Sequence, residues 1–79
     1  MINVHSLTDE NIGDWVGYLD SDGNIVEVGR IKGWNELFVF VVYKCDDWNK
    51  FQDYTAIASN PKHLKFLDVN HLKIQEVLK

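Results

Sequence analysis

The sequence has little of the chemistry from which small active sites and metal centres are built. Its one cysteine, Cys45, allows no internal disulfide and no thiolate metal site, and this predicts a reducing, intracellular compartment. The three histidines are scattered, with no pair at the i, i+4 spacing, so we expect no bound metal and no cofactor. Because no histidine stands near Cys45 in the sequence to act as its base, we also expect no catalytic residues and no enzyme activity.

Long apolar runs are missing as well. The longest run covers residues 37–43, whereas a membrane-spanning helix needs roughly 20 apolar residues. The first 14 residues lack the basic end and the apolar centre of a signal peptide. We therefore expect a cytoplasmic protein that does not contact a membrane. A chain of 79 residues is enough for a single domain, which we expect to span residues 1–79.

Basic side chains are absent from the first third of this small acidic protein. The net charge is −4, but the first 29 residues carry six acidic side chains and no Lys or Arg, while the remainder carries eight basic and six acidic side chains. Phosphate-backbone binding needs a basic stripe, so this distribution disfavours it. The acidic third favours a partner with a basic surface, although chance scatter of surface charge explains the same imbalance more simply.

Strand-forming residues are what the sequence has in abundance, above all between Ile25 and Tyr43. Residues 37–43 are apolar at every position, which is typical of a strand covered on both faces, so we expect it to be the central strand of a strongly curved sheet or small barrel. The glycine and asparagine in the link 33–36 predict a hairpin before that strand. We expect the side chains on both faces of this strand to be largely covered, with the interior containing Phe38, Phe40, Val42, Val16, Ile31 and Leu67. The opposite phase of the strand would bury Leu37, Val39 and Val41 instead. Trp15 of the first strand is also expected to fill the interior.

The strand before this link has conflicting apolar phases. A bulge at Gly29 would let Val26, Val28 and Ile31 face the same side, and we expect one there.

Local signals predict the other elements. A short lead-in strand is expected over residues 1–7, and Thr8 is expected to cap a single helical turn. Residues 15–19 form the first clear strand, and the Asp-Gly of segment 20–24 predicts a hairpin turn rather than a calcium loop, because the glycine is fourth and not sixth. Further strands are expected over 54–58 and 65–68, with a helical turn begun by Pro61 between them. Residues 69–79 are spaced as a helical tail, and the sequence leaves open whether it packs on the barrel or on a second copy in a homodimer.

The resemblance to a known group covers residues 15–67, the expected barrel. It is carried by Gly29-Arg30-Ile31-Lys32, Phe38-Val39-Phe40-Val41-Val42-Tyr43, Asp46-Asp47-Trp48, Tyr54-Thr55-Ala56, Asn60-Pro61 and Leu64. In this order and spacing the chain resembles small, uncharacterised SH3-like-barrel proteins of bacteriophages and prophages. The resemblance implies a mainly β fold, an SH3-like small barrel of about five antiparallel strands, and a bacterial host cell as the setting. The group brings no established binding or catalytic residues to this sequence.

Two large aromatics, Trp48 and Phe51, stand in the polar loop 44–53, and Trp34 stands in the predicted turn. Rim loops and neighbouring aromatics form the usual ligand surface of SH3-like barrels, and tryptophan often dominates binding energy. The alternative is that Trp48 folds back and caps an open end of the barrel. On the first interpretation the protein is a non-catalytic protein-interaction module, with a partner surface made of Trp34, Trp48, Phe51, Asp46, Asp47 and Asp53.

A second function class stays open at this point. Stacking aromatics combined with basic side chains are typical of small barrels that bind single-stranded nucleic acid. The residues available for such a site are Arg30, Lys32, Lys44 and Lys50, with Trp34 and Trp48. The acidic first third of the chain favours the protein-interaction interpretation over this one.

Overall fold

The computed structural model describes residues 1–70. Its strands are β1 (Trp15–Leu19), β2 (Ile25–Trp34), β3 (Val39–Val42), β4 (Ile57–Ser59) and β5 (Leu64–Phe66). They form one antiparallel sheet in the order β4-β3-β2-β1-β5. The predicted fold class is confirmed as a mainly β protein of five antiparallel strands, with a 3-10 turn, Pro61–His63, directly before the last strand. The sheet curls into a small barrel that is not closed, because β4 and β5 are its two edges.

The long strand β2 holds the sheet together, because it pairs with β1 along its first part and with β3 along its last. Gly29 is buried near the point of exchange, where a Cβ atom would overlap the carbonyl oxygen of Val42. The bulge predicted at Gly29 is wrong. The register instead skips Val26, opposite Tyr18 and Leu19, and Lys32, opposite Phe40 and Val41. Val26 and Val28 are exposed.

The interior of the barrel contains the opposite row of β3 from the one predicted. Val39 and Val41 are fully buried, whereas Phe38 is 39% exposed. The register explains the difference, because Val41 pairs with Ile31 and so faces the same side of the sheet as this core residue.

The predicted core is therefore right in part. Val16, Ile31 and Val42 are fully buried, but Phe40 and Leu67 are only half-buried. The expectation that both rows would be covered fails at Leu37, which is 71% exposed.

A turn before β3 is the reason that Leu37 and Phe38 are exposed. The Asn35 side-chain oxygen accepts hydrogen bonds from the backbone N–H groups of both residues, at 2.8 Å each. This Asx-type bonding holds the segment out of the sheet, so the strand begins only at Val39. The predicted hairpin is present, but its turn lies after Trp34 and not around it.

The N-terminal segment closes one side of the core without forming a strand. In place of the predicted lead-in strand it contains a 3-10 turn, Val4–Ser6. Ile2 is 4% exposed, and its N–H donates to the carbonyl of Pro61 at 2.9 Å. The helical turn predicted after Thr8 is present at Asp9–Asn11.

Other local predictions agree with the structure. The bounds of β1 are those expected, and segment 20–24 forms the predicted turn, in which an Asp20 carboxylate oxygen accepts from two backbone N–H groups. The last two strands are displaced from their predicted positions, to Ile57–Ser59 and Leu64–Phe66. The predicted helical tail, 69–79, falls outside the described residues apart from its first two positions. Within residues 1–70 no helix has the length and apolar character to cross a membrane.

Candidate functional site

Arg30 connects three separate segments on the outer face of the sheet. Its Nε donates to the carbonyl of Gly13 at 2.7 Å, and its Nη1 donates to the carbonyl of Trp48 at 2.9 Å. The guanidinium carbon also lies 4.4 Å from the ring centroid of Phe51 and 5.3 Å from that of Trp15. A planar cation with several donors suits this position, because it can bond two carbonyls and stack on rings at the same time.

The backbone at Gly13 is shaped to accept this contact. Its φ of 89° lies in the left-handed region, where residues with a side chain are strained. A Cβ atom at this position would also approach Arg30 Nη2 to 3.0 Å. The N–H of Gly13 donates to the carbonyl of Ile31, and the N–H of Ile31 donates to the carbonyl of Asp14. These two bonds fix the segment against β2.

The ring of Trp48 packs against that of Trp15. The two ring centroids are 4.8 Å apart, with the ring planes tilted by 59°, and both side chains are half-buried. Trp48 begins the 3-10 segment Trp48–Asp53, whose start is capped by the Asp47 carboxylate accepting from the N–H of Asn49 at 3.0 Å. Tilted aromatic pairs at this separation are mutually attractive, so each indole helps to hold the other in position.

The structure places some of the predicted partner residues at the surface and others in the interior. Asp46, Asp47 and Asp53 are exposed and lie in the same loop as the half-buried Trp48. Phe51 is only 8% exposed and lies beneath them against Arg30, so it supports the surface from below.

Trp34 is not part of this group. It belongs to β2 and not to a turn, and it packs against the core at the far end of that strand, roughly 13 Å along the chain from Arg30. Beside it is a shallow cleft formed with Val4 and His5.

Of the four basic residues predicted for nucleic-acid binding, two bond to carbonyl groups within the protein and two are exposed. Arg30 bonds the two carbonyls described above, and Lys32 donates from Nζ to the carbonyl of Tyr54 at 2.8 Å. Lys44 and Lys50 are exposed. Half of the expected basic set therefore has internal partners, and the two tryptophans expected to stack with it stand at different places.

Sequence reasoning missed the contribution of Trp15 and Arg30. Trp15 was expected to fill the barrel, but its neighbour Val16 does so. Adjacent residues of a strand face opposite sides, so a fully buried Val16 places Trp15 on the outer face. The alternation of side chains along β1 could have indicated that Trp15 faces outward. It could not have indicated that Trp48 and Arg30 contact Trp15 on the outer face.

Potential metal ligands and the one cysteine were also located in the structure. Among the described residues, no three or more His, Cys, Asp or Glu side chains come together as metal ligands would. The Cys45 thiol donates to the carbonyl of Asp47 at 3.0 Å, within the loop. Comparisons of the chain with models of protein families, with curated proteins and with solved structures found no match.

Proposed function

We propose that this protein is a non-catalytic interaction module that docks a basic segment of a partner protein on its Trp48 surface. We define this surface as Trp15 and Trp48 with the exposed carboxylates Asp46, Asp47 and Asp53. The observation that carries the proposal is the half-buried indole pair, whose ring centroids lie 4.8 Å apart, with Trp48 in a loop that also carries three exposed acids. Tryptophan is the side chain most enriched among residues that dominate interface energies.

The Trp48 surface is pre-organised for binding. Trp48 is held through its ring by Trp15 and through its carbonyl by Arg30. A side chain that is already fixed loses less conformational freedom on association, so more of its contact energy appears as affinity. The surrounding carboxylates favour a partner segment rich in Lys and Arg, and they raise the rate of its encounter.

We further infer that the partner is a protein of a bacterial host or of a phage, and that the complex forms in the host cytoplasm. This inference is supported by the sequence resemblance to phage and prophage proteins and not by the geometry of the site. With such a partner, the protein would be an accessory factor that acts by binding.

The experiment is quantitative capture from bacterial host lysate by immobilised full-length protein. Wild type is compared with Trp48→Ala, with the double variant Asp46→Asn/Asp53→Asn, and with Asp22→Asn as a matched control. Asp22 is an exposed acid of the β1–β2 turn, so its substitution changes charge elsewhere. We expect a specific protein with a basic segment to be retained by wild type and Asp22→Asn, and to be lost or strongly depleted with the other two.

Retention of the same protein by Trp48→Ala would overturn the proposal. So would retention of nucleic acid that depends on Lys44 and Lys50 and decreases steeply as salt is raised, because that dependence is the signature of phosphate binding.

A further inference from the structure

A second concave site lies on the sheet face opposite the Trp48 surface. Tyr18 is three residues from Trp15 in β1, so the two side chains point to opposite faces. Tyr18 pairs in register with Glu27 of β2, which places these two on the inner face. A groove of about 220 Å³ opens there, beside the edge strand β4. We call it the tyrosine groove, and it is lined by Tyr18, Glu27, Tyr43, Ile57, Ser59 and Asn60.

Two phenol rings form the wall of the tyrosine groove. The rings of Tyr18 and Tyr43 are nearly perpendicular, with an interplanar angle of 86° and centroids 6.4 Å apart. Both side chains are half-buried and pack against the core, so part of each remains accessible from the groove. The faces of such rings carry partial negative charge and attract cations.

The hydroxyl of Tyr43 is fixed by a buried partner. It lies 2.6 Å from the Oγ of Ser59, a side chain that is only 4% exposed. The Ser59 hydroxyl donates to the carbonyl of Ile57 at 3.2 Å. Either hydroxyl can be the donor in this contact, which fixes the orientation of the Tyr43 phenol. Burial raises the pKa of Tyr43 and so favours the neutral phenol.

The lining of the groove is negatively charged, and the exposed His63 lies next to it, with its ring centroid 5.8 Å from that of Tyr18. Glu27 is an exposed carboxylate at the rim, and none of the lining residues is basic. Ile57 adds exposed apolar surface at the β4 side, where it is 58% exposed. The groove thus combines ring faces, one carboxylate and an apolar edge, which matches a ligand with a cationic head and an apolar stem.

We propose that the tyrosine groove binds the side chain of an arginine presented by a protein partner. The guanidinium would stack against the tyrosine rings and donate to the Glu27 carboxylate, while the methylene stem lies against Ile57. Arginine suits the groove better than lysine, because a planar guanidinium can stack on a ring and bond a carboxylate through two donors at once. This site is separate from the Trp48 surface, and the proposal does not rest on the proposed function.

The test is an NMR titration of the full-length, ¹⁵N-labelled protein with N-acetyl-argininamide. The matched ligand is N-acetyl-citrullinamide, which has nearly the same shape and carries no charge. We expect saturable shifts of the backbone amides of Tyr18, Glu27, Ile57 and Ser59 with the arginine compound, and at least tenfold weaker binding of the citrulline compound. The δ-methylene protons of bound arginine should move upfield, because they lie over ring faces.

Two variants test the role of the carboxylate. Glu27→Gln should weaken arginine binding about fivefold or more, whereas Asp22→Asn, which removes the same charge from the neighbouring turn, should leave it unchanged. Both positions are exposed, so neither variant is expected to unfold the protein. Equal binding of the two ligands, an unchanged affinity in Glu27→Gln, or shifts confined to the Trp48 surface would each overturn the proposal. Preference for N-acetyl-lysinamide over the arginine compound would overturn the choice of arginine.

Discussion

The guanidinium of Arg30 donates to the backbone carbonyl of Trp48 across a sequence separation of 18 residues, at 2.9 Å. This one bond joins the centre of the sheet to the loop that carries the half-buried Trp48 indole. The position of Trp48 therefore depends on a residue of β2. We expect a change at Arg30 to affect both the stability of the loop and the binding that we propose for the Trp48 surface.

Arg30→Lys tests whether the positive charge of this residue is sufficient or whether the shape of its guanidinium is also needed. Lysine keeps the positive charge but cannot bond two carbonyls and stack on Phe51 together. We expect a loss of about 1–2 kcal/mol in the free energy of unfolding, measured with urea. We also expect a red shift of tryptophan fluorescence in the folded protein, because Trp48 becomes more exposed to water. Lys50→Gln, an exposed change in the same loop, should alter neither quantity, and equal effects of the two variants would contradict the role given to Arg30.

Trp48→Ala should lose less stability than Phe51→Ala, and it should weaken the binding of the proposed partner. Phe51 is 8% exposed, so its truncation should cost about 3 kcal/mol of unfolding free energy. Trp48 is half-buried, and we expect its truncation to cost roughly half as much. Partner binding by Trp48→Ala should weaken by about 2 kcal/mol, roughly thirtyfold. Urea unfolding and titration calorimetry with the captured partner measure the two effects. A loss for Trp48→Ala as large as that for Phe51→Ala would mean that Trp48 serves mainly to cap the barrel.

The parts of the fold that the sequence predicts are those with a local physical cause. The turn at Asp20 needs only its own carboxylate and the following glycine, and the 3-10 turn at Pro61 needs only a fixed φ. Which side chains of β3 face the interior has no such local cause, because the strand is apolar at every position and alternation gives no signal. The pairing of β3 with β2 determines which side chains face inward, and the bonds accepted by Asn35 move the start of β3 to Val39.

The candidate site could be predicted only in part for a similar reason. An aromatic in a polar loop suggested that Trp48 has a special role, and the neighbouring acids were visible in the same stretch. Its contact with Trp15 and its bond from Arg30 join residues that are distant in sequence, so no local pattern contains them. Trp34 was assigned to a turn because Gly33 precedes it, yet β2 continues through both positions.

Tyr43 should make stability depend on alkaline pH. Burial raises its pKa above the ordinary value of 10.0, the hydrogen bond with Ser59 lowers it, and Glu27 raises it further, so the net direction is upward. A group with a raised folded pKa contributes its full stability below the unfolded pKa and loses it as pH rises through the folded pKa. The free energy of unfolding of wild type relative to Tyr43→Phe should therefore decline as pH is raised above 10.0. Urea unfolding at a series of pH values measures this difference, and a difference that stays constant would contradict the prediction.

The two glycines of β2 should respond in opposite ways to the same substitution. At Gly29 an added Cβ overlaps the Val42 carbonyl and comes within 2.6 Å of the Val41 side chain, so the sheet must open between β2 and β3. We expect Gly29→Ala to cost about 2 kcal/mol or more of unfolding free energy, as overpacking against backbone does. At Gly33 nothing lies within 4 Å of the added atom. There alanine mainly reduces the freedom of the unfolded chain, so Gly33→Ala should be neutral or stabilising by a few tenths of a kcal/mol. Thermal and urea unfolding of both variants tests the pair, and a Gly29→Ala protein as stable as wild type would contradict the prediction that the space between Gly29 and Val42 admits no side chain.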